Sequence, residues 1–275
     1  MTLEYDCEDE NMKYELVALD IDGTILNSDM KITDRTKEAI KMCVSKGIKV
    51  VLASGRYYES IKAYTKDLNI SSGQQITLNG AVIKEAKTGK SLEEFPIPKE
   101  DYDNIIDKLE ELPYSKVVFT ADKYYKTICN GEIETVEVLT GPKAEMISSF
   151  KLVVNPIKIL LIIEDEHEIE KARRILENDK YLVIRTGYNN VEIVRRDVSK
   201  GRALKIIADK YNIKSEKILA IGDSENDIEM IKYAGMGVAM GNAYDHVKEI
   251  SDEVTETCDK DGAQKAINKY IFGAN

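Results

Sequence analysis

The sequence predicts an α/β fold: a Rossmann-like core built on a parallel sheet, with an inserted α+β cap domain. Three observations carry this reading. Short apolar runs alternate with amphipathic helical stretches at both ends of the chain. The middle changes style, and all five prolines fall between Pro96 and Pro156. Polar residues suited to chemistry follow directly after the apolar runs, where open parallel sheets bind ligands. The resulting division is a discontinuous core, residues 1–83 and 190–275, and a cap, residues 84–189.

The elements follow in order. Glu15–Leu19 reads as a strand, because the run Leu16-Val17-Ala18-Leu19 suits a strand buried on both faces. Thr33–Lys46 reads as a helix with Thr33 as N-cap and Gly47 as stop. Ile48–Ala53 is β-branched and apolar, hence a buried strand. Tyr57–Leu68 reads as a helix, and Gln75–Leu78 as a strand ending at Asn79-Gly80. Strand and helix in alternation imply parallel pairing through right-handed crossovers.

Beyond Val82, alternation around Thr88-Gly89-Lys90 marks a hairpin. The cap then reads as helix Lys99–Glu111, strands Lys116–Thr120 and Lys123–Ile128, strand Lys158–Ile163, helix Asp165–Asn178 and strand Tyr181–Arg185. Val191–Val194 reads as a strand that returns to the first style. Helix Lys200–Tyr211, strand Lys217–Ile221, helix Ser224–Tyr233, strand Met236–Met240 and helices Tyr244–Ile250 and Gly262–Ile271 complete the chain.

Composition narrows the function. The 275 residues are 43% hydrophobic and 32% charged, the balance of a soluble globular protein. A formal net charge of −10 argues against a general nucleic-acid surface. No apolar stretch reaches membrane-spanning length. Met1–Glu15 is acidic, lacks a signal-peptide pattern and reads as a loose arm. Cys7, Cys43, Cys129 and Cys258 show neither metal spacing nor a paired framework, which points to reduced thiols and a cytoplasmic location. Only His167 and His246 exist, and neither adjoins a motif, so a zinc site or histidine triad has little to work with.

Four strand ends carry the chemistry. Asp20-Ile21-Asp22-Gly23-Thr24 follows the first apolar run. Two carboxylates this close repel unless a cation lies between them, and a hard divalent ion prefers oxygen ligands. Asp20 can attack phosphorus, and Asp22 can protonate the leaving oxygen and then deprotonate water. Ser54-Gly55-Arg56 offers a hydroxyl and exposed amides for phosphate, although taken alone Ser54 reads more readily as an ordinary helix N-cap. Lys200 opens a helix against the macrodipole, which an anion would explain and a solvated surface lysine would also fit. Gly222-Asp223-Ser224-Glu225-Asn226-Asp227 supplies more acid than capping needs. Asp223 would be the third metal oxygen, and Asp227 would support it or a bound water. Magnesium with phosphate and carboxylates, plus an in-line nucleophile, is the combination phosphoryl transfer needs.

These motifs, in this order, resemble those of the haloacid dehalogenase-like phosphatase superfamily. Leu78-Asn79-Gly80-Ala81 and Ala239-Met240-Gly241-Asn242-Ala243 are similar to the Cof-type subgroup, whose large cap lies between the second and third motifs. The resemblance runs from about Tyr14 to the end. It implies Asp20 as nucleophile and Mg²⁺ ligand, Asp22 as general acid/base and carbonyl ligand, and Asp223 as the completing ligand, with Asp227 and Thr24 behind. Ser54, Lys200, Asn226 and the amides of Ile21 and Gly55 would hold phosphate. The stretch Thr257–Gln264 follows the usual run only loosely, which weakens any role for Cys258.

The expected activity is Mg²⁺-dependent hydrolysis of a small-molecule phosphate ester, with no nucleic-acid or membrane partner. The same intermediate would also serve a phosphomutase or phosphotransferase. A phospho-accepting or phosphosugar-binding module without turnover is the alternative from another class. The insert is expected to act as a lid, with Tyr124, Tyr125, Tyr188 and Asn189 as candidates for substrate selection, although aromatic strand residues more often pack than recognise a ligand.

Overall fold

The computed structural model describes residues 13–127, 143–185 and 190–274. The arm through Met12, Ile128 of one expected strand, Tyr188, Asn189, Cys7, Cys129 and Pro142 lie outside the described residues. In chain order the elements are β1 (Leu16–Asp20), α1 (Asp34–Ser45), β2 (Lys49–Ala53), α2 (Tyr58–Asp67), β3 (Gln74–Thr77), β4 (Val82–Glu85), β5 (Ser91–Glu94), α3 (Lys99–Glu110), β6 (Ser115–Phe119), β7 (Tyr124–Lys126) and β8 (Glu145–Met146). They continue as β9 (Lys158–Ile162), α4 (Glu166–Leu176), β10 (Tyr181–Arg185), β11 (Asn190–Arg195), α5 (Lys200–Tyr211), β12 (Ile218–Gly222), α6 (Ile228–Tyr233), β13 (Met236–Ala239), α7 (Asp245–Glu249), β14 (Glu253–Val254) and α8 (Gly262–Ile271). Two compact units divide the chain: Met1–Val51 with Ile207–Asn275, and Leu52–Ile206.

In the first unit the strands run β14-β13-β12-β1 and then into the start of β2. β1 and β12 pair in parallel with Leu16 opposite Ile218 and Leu19 opposite Ile221. Every residue of both strands is buried, which is why each reads as an unbroken apolar run. β13 and β14 extend the pairing, also in parallel. β14 has only two residues, too short for a periodic pattern, and was not anticipated. Helix α1 begins where expected, because the Thr33 hydroxyl accepts the Thr36 N–H at 3.2 Å. It packs against α8, whose Ala263, Ala266 and Ile267 are buried.

In the second unit β3 pairs in parallel with the end of β2, and β4 and β5 add antiparallel strands through the expected hairpin. A six-stranded sheet follows in the order β10-β11-β9-β6-β7-β8. Alternate residues of its strands serve opposite faces. Val118, Ile159, Leu161 and Ile193 pack with Tyr102, Ile106, Ile169 and Ala172 of helices α3 and α4. Val117, Phe119, Leu160 and Ile162 pack with Tyr57, Leu78 and Val82. Tyr124 lies in this second core and is 2% exposed, so it packs rather than presents itself to a ligand.

Two expectations are corrected. The strand at Val191–Val194 does not return to the parallel style; β11 lies antiparallel between β10 and β9. Only four residues separate Arg185 from Asn190, and a connection that short permits antiparallel pairing alone. The helix expected over Ser224–Tyr233 is a single tight turn, Glu225–Asp227, followed by α6. Ser224 and Asp227 close that turn as a reciprocal capping box. Among the described residues no helix is long and apolar enough to cross a membrane.

Candidate active site

The first unit gathers the acids. β1 ends at Asp20, and its parallel neighbour β12 ends at Gly222, so Asp20 and Asp223 leave the same edge. One wide turn follows β1, closed by the Leu26 N–H donating to the Ile21 carbonyl at 2.9 Å. Gly23 sits in it at φ +74°, and a Cβ there would stand 2.5 Å from Asp223 Oδ2. Only glycine combines this left-handed backbone with so close an approach to a carboxylate.

Asp20, Asp223 and Asp227 each place one carboxylate oxygen within 4.8 Å of the others. Asp20 is 5% exposed and Asp227 is fully buried. Thr24 Oγ1 donates to Asp223 Oδ1 at 3.4 Å. Asp227 Oδ2 accepts the backbone N–H groups of Asp223 and Ser224, both at 3.0 Å. Asp227 therefore fixes the backbone from which Asp223 projects. Asp22 is exposed, and its carboxylate is not one of the clustered three. Asn226 lies half-buried in the turn Glu225–Asp227.

Asn242 belongs to the same site and was not singled out as functional from sequence. Its Nδ2 donates to the Gly23 carbonyl at 2.8 Å and to Asp223 Oδ2 at 3.5 Å, and its Oδ1 accepts the Cys258 N–H. The rule that found the other residues would have found it, since it stands just past the apolar strand β13. Burial pushes the Cys258 thiol up, with the charges of Asp259 and Asp223 adding to it.

The second unit brings the hydroxyl and the lysine to one turn. The Ser54 N–H donates to the Ile76 carbonyl, and the Ser54 carbonyl accepts the Asn79 N–H, both at 3.0 Å. The Leu78 N–H donates to the Arg56 carbonyl at 2.9 Å. Gly80, at φ +95°, lies so near Ser199 that a Cβ would stand 2.1 Å from its carbonyl oxygen. The loop carrying Ser54 and Gly55 thus touches the turn at residues 78–80, and that turn touches the start of α5. Lys200 is 1% exposed there, so it is no solvated surface lysine. Nor does Ser54 cap α2, whose N-cap is Tyr57; its Oγ accepts the Arg56 N–H at 3.1 Å.

The acid cluster suits a metal. Its donors are carboxylate oxygens, two of them deeply buried, and such groups repel one another without a cation among them. All-oxygen donor sets select hard divalent ions over softer metals.

A parallel sheet that delivers carboxylates from adjacent strand ends defines a Rossmann-like α/β protein with an acidic cluster that could accept a cation. The family follows from comparison: a model of the haloacid dehalogenase-like hydrolases matches residues 17–267, and the chain belongs to that family, in its Cof-type branch. It is similar to a 5-amino-6-(5-phospho-D-ribitylamino)uracil phosphatase, YcsE, of Bacillus subtilis, with 31% identity covering 96% of this chain and 98% of the relative. Phosphatase YwpJ of the same organism is also 31% identical, over 90% and 96% of the two chains. Among solved structures, a haloacid dehalogenase-like hydrolase from Bacteroides thetaiotaomicron superimposes with a TM-score of 0.85 at 28% identity, covering 94% and 99%. One from Bacillus subtilis gives 0.81 at 30% identity, covering 92% and 99%. The chain is an enzyme, a phosphatase.

Proposed function

We propose that the enzyme hydrolyses the monoester of a small phosphorylated metabolite through a phosphorylated Asp20, with Mg²⁺ as its cation. The observation that carries this reading is the approach of Asp20, Asp223 and Asp227 within 4.8 Å. The side chains of Asp20 and Asp223 and the carbonyl of Asp22 would hold the ion. When bound, it neutralises charge on the phosphoryl oxygens.

The remaining chemistry belongs to the chain. An Asp20 oxygen attacks phosphorus as the bond to the leaving oxygen breaks. Asp22 gives that oxygen a proton, and its exposed side chain has the access this needs. Asp22 then takes a proton from water, whose oxygen attacks the same phosphorus and restores Asp20. Ser54, Lys200, Asn226 and the amides of Ile21 and Gly55 hold the phosphate through both steps. Lys200 is 1% exposed, so its ammonium would meet the phosphate shielded from water. The insert, residues 84–189, would serve as the lid that excludes water from the first step.

Phosphate release from a panel of sugar phosphates, nucleotides and phosphorylated cofactor precursors, with Mg²⁺ and with chelator, tests the reading. The ribitylaminouracil phosphate in the relative's name belongs on that panel. Asp20→Asn should lower the rate by about a thousandfold or more. Wild-type turnover by that variant would remove Asp20 as nucleophile, and undiminished turnover in chelator would remove the cation.

A further inference from the structure

Lys158, at the start of β9, and Glu192, in β11, form an ion pair at 2.7 Å with side chains only 5% and 9% exposed. A pair this buried contributes little to stability, because desolvation offsets most of the attraction. The rest of its hydrogen bonding is directed at the loops after β2 and β3. Lys158 Nζ donates to the Gly55 carbonyl at 3.2 Å and lies 4.8 Å from the centre of the Phe119 ring. The other Glu192 oxygen accepts Asn79 Nδ2 at 3.4 Å. Asn79 in turn abuts Gly55, where a Cβ would stand 2.9 Å from Asn79 Oδ1.

The Gly55 carbonyl and the Arg56 N–H belong to one planar peptide unit. That N–H donates to Ser54 Oγ at 3.1 Å. One rigid plane therefore carries the Lys158 ammonium at one end and the Ser54 hydroxyl at the other. A hydroxyl has a single proton to donate. An N–H accepted by its oxygen takes up one lone pair and so restricts the directions left to that proton.

We propose that Lys158 and Glu192 are positioning residues for phosphate recognition: together they clamp the Gly55–Arg56 peptide and so aim the Ser54 hydroxyl. The inference rests on Ser54 being a phosphate ligand, as argued above. It assigns the buried pair a role in binding rather than in holding the sheet together. Lys158 acts through Ser54, so removing either should weaken phosphate binding, and removing both should cost no more than removing one.

The experiment is a double-mutant cycle on the full-length enzyme. Its readouts are p-nitrophenyl phosphate kinetics and inhibition by inorganic phosphate, with melting temperatures measured alongside. Ser54→Ala and Lys158→Gln should each weaken phosphate inhibition about tenfold, as expected for one hydrogen bond to a charged group. The double variant should match the weaker single within about twofold. Lys158→Arg, which keeps a cationic donor, should recover most of the loss. If Lys158→Gln does not fold, the same cycle with Glu192→Gln decides. Additive losses, or wild-type phosphate inhibition in Lys158→Gln, overturn the proposal. Wild-type phosphate inhibition in Ser54→Ala overturns it too, and locates the failure in the assignment of Ser54 rather than in the clamp.

Discussion

The Asp227 carboxylate, fully buried, accepts the backbone N–H of Asp223 at 3.0 Å and that of Ser224 at the same distance. Asp227 therefore orients Asp223 within the acidic cluster. Replacing it with Ala removes two charge-assisted hydrogen bonds and should cost about 2–3 kcal/mol of stability. It should also raise the Mg²⁺ concentration for half-maximal phosphate release about 10–100-fold, the usual effect of losing a group that orients a metal ligand. Asp227→Asn keeps an acceptor oxygen and should lose less on both counts. Urea unfolding and a Mg²⁺ titration of activity check this; an unchanged Mg²⁺ requirement in Asp227→Ala would refute it.

Gly80 has a backbone at φ +95° and no room for a side chain against Ser199. Gly80→Ala combines left-handed strain with a steric overlap against backbone, which cannot be relieved by a rotamer change. We expect a loss of about 2–4 kcal/mol in urea unfolding, together with weaker inhibition by inorganic phosphate, because the start of α5 carries Lys200. Stability within about 0.5 kcal/mol of wild type would show that the turn yields easily.

Thr33 links two distant parts of the first unit. Its hydroxyl accepts the Thr36 N–H at the start of α1 and donates to Asp261 Oδ1 at 2.6 Å, just before α8. Thr33→Ala should cost about 1–2 kcal/mol through the lost cap and the abandoned carboxylate partner. Thr33→Ser keeps both bonds and should cost less than half as much. The Km for p-nitrophenyl phosphate should not change in either, since neither bond reaches the acidic cluster. Equal losses in the two variants would assign the effect to the methyl group instead.

How much of this was legible in the sequence depended on whether a residue's role was set locally. Thr33 as a cap and Asp20 at a strand end each follow from a few neighbouring residues. The run Ile218–Ile221 marked a buried strand for the same reason, and β12 lies there. The pairing of β11 was not local: Val191–Val194 shows only that a strand exists, and the short connection from β10 decided its partner. Lys158, Glu192 and Asn242 did not stand out in the sequence because their contacts span 103, 113 and 219 positions. A lysine at the start of an apolar strand reads as an ordinary solvated end until the fold brings the Gly55 carbonyl to it. The solvated-lysine reading of Lys200 and the helix-cap reading of Ser54 fell for a similar reason, since burial and helix start are tertiary facts.

Asp101, in α3, supplies a pH-dependent contribution to the second unit. Its Oδ2 accepts the Tyr181 hydroxyl at 2.7 Å, and Lys180 lies at 3.3 Å. The tyrosine hydrogen bond above all, and then the lysine, hold its carboxyl below the usual carboxylate range, against the opposing effect of burial. A carboxyl whose folded pKa is depressed stabilises the fold above its unfolded value of about 3.9, and that contribution disappears as pH falls through the folded value. Tyr181→Phe should therefore be less stable than wild type by about 1 kcal/mol at pH 7, a modest figure because the carboxyl is partly exposed. The gap should hold down to about pH 5 and narrow progressively below about pH 4, as falling pH approaches the depressed folded value of Asp101. Urea midpoints for the two proteins at pH 7, 5, 4 and 3.5 provide the check. A gap that stays constant through pH 3.5, or that widens on acidification, would mean that the hydroxyl acts through packing and not through the Asp101 charge.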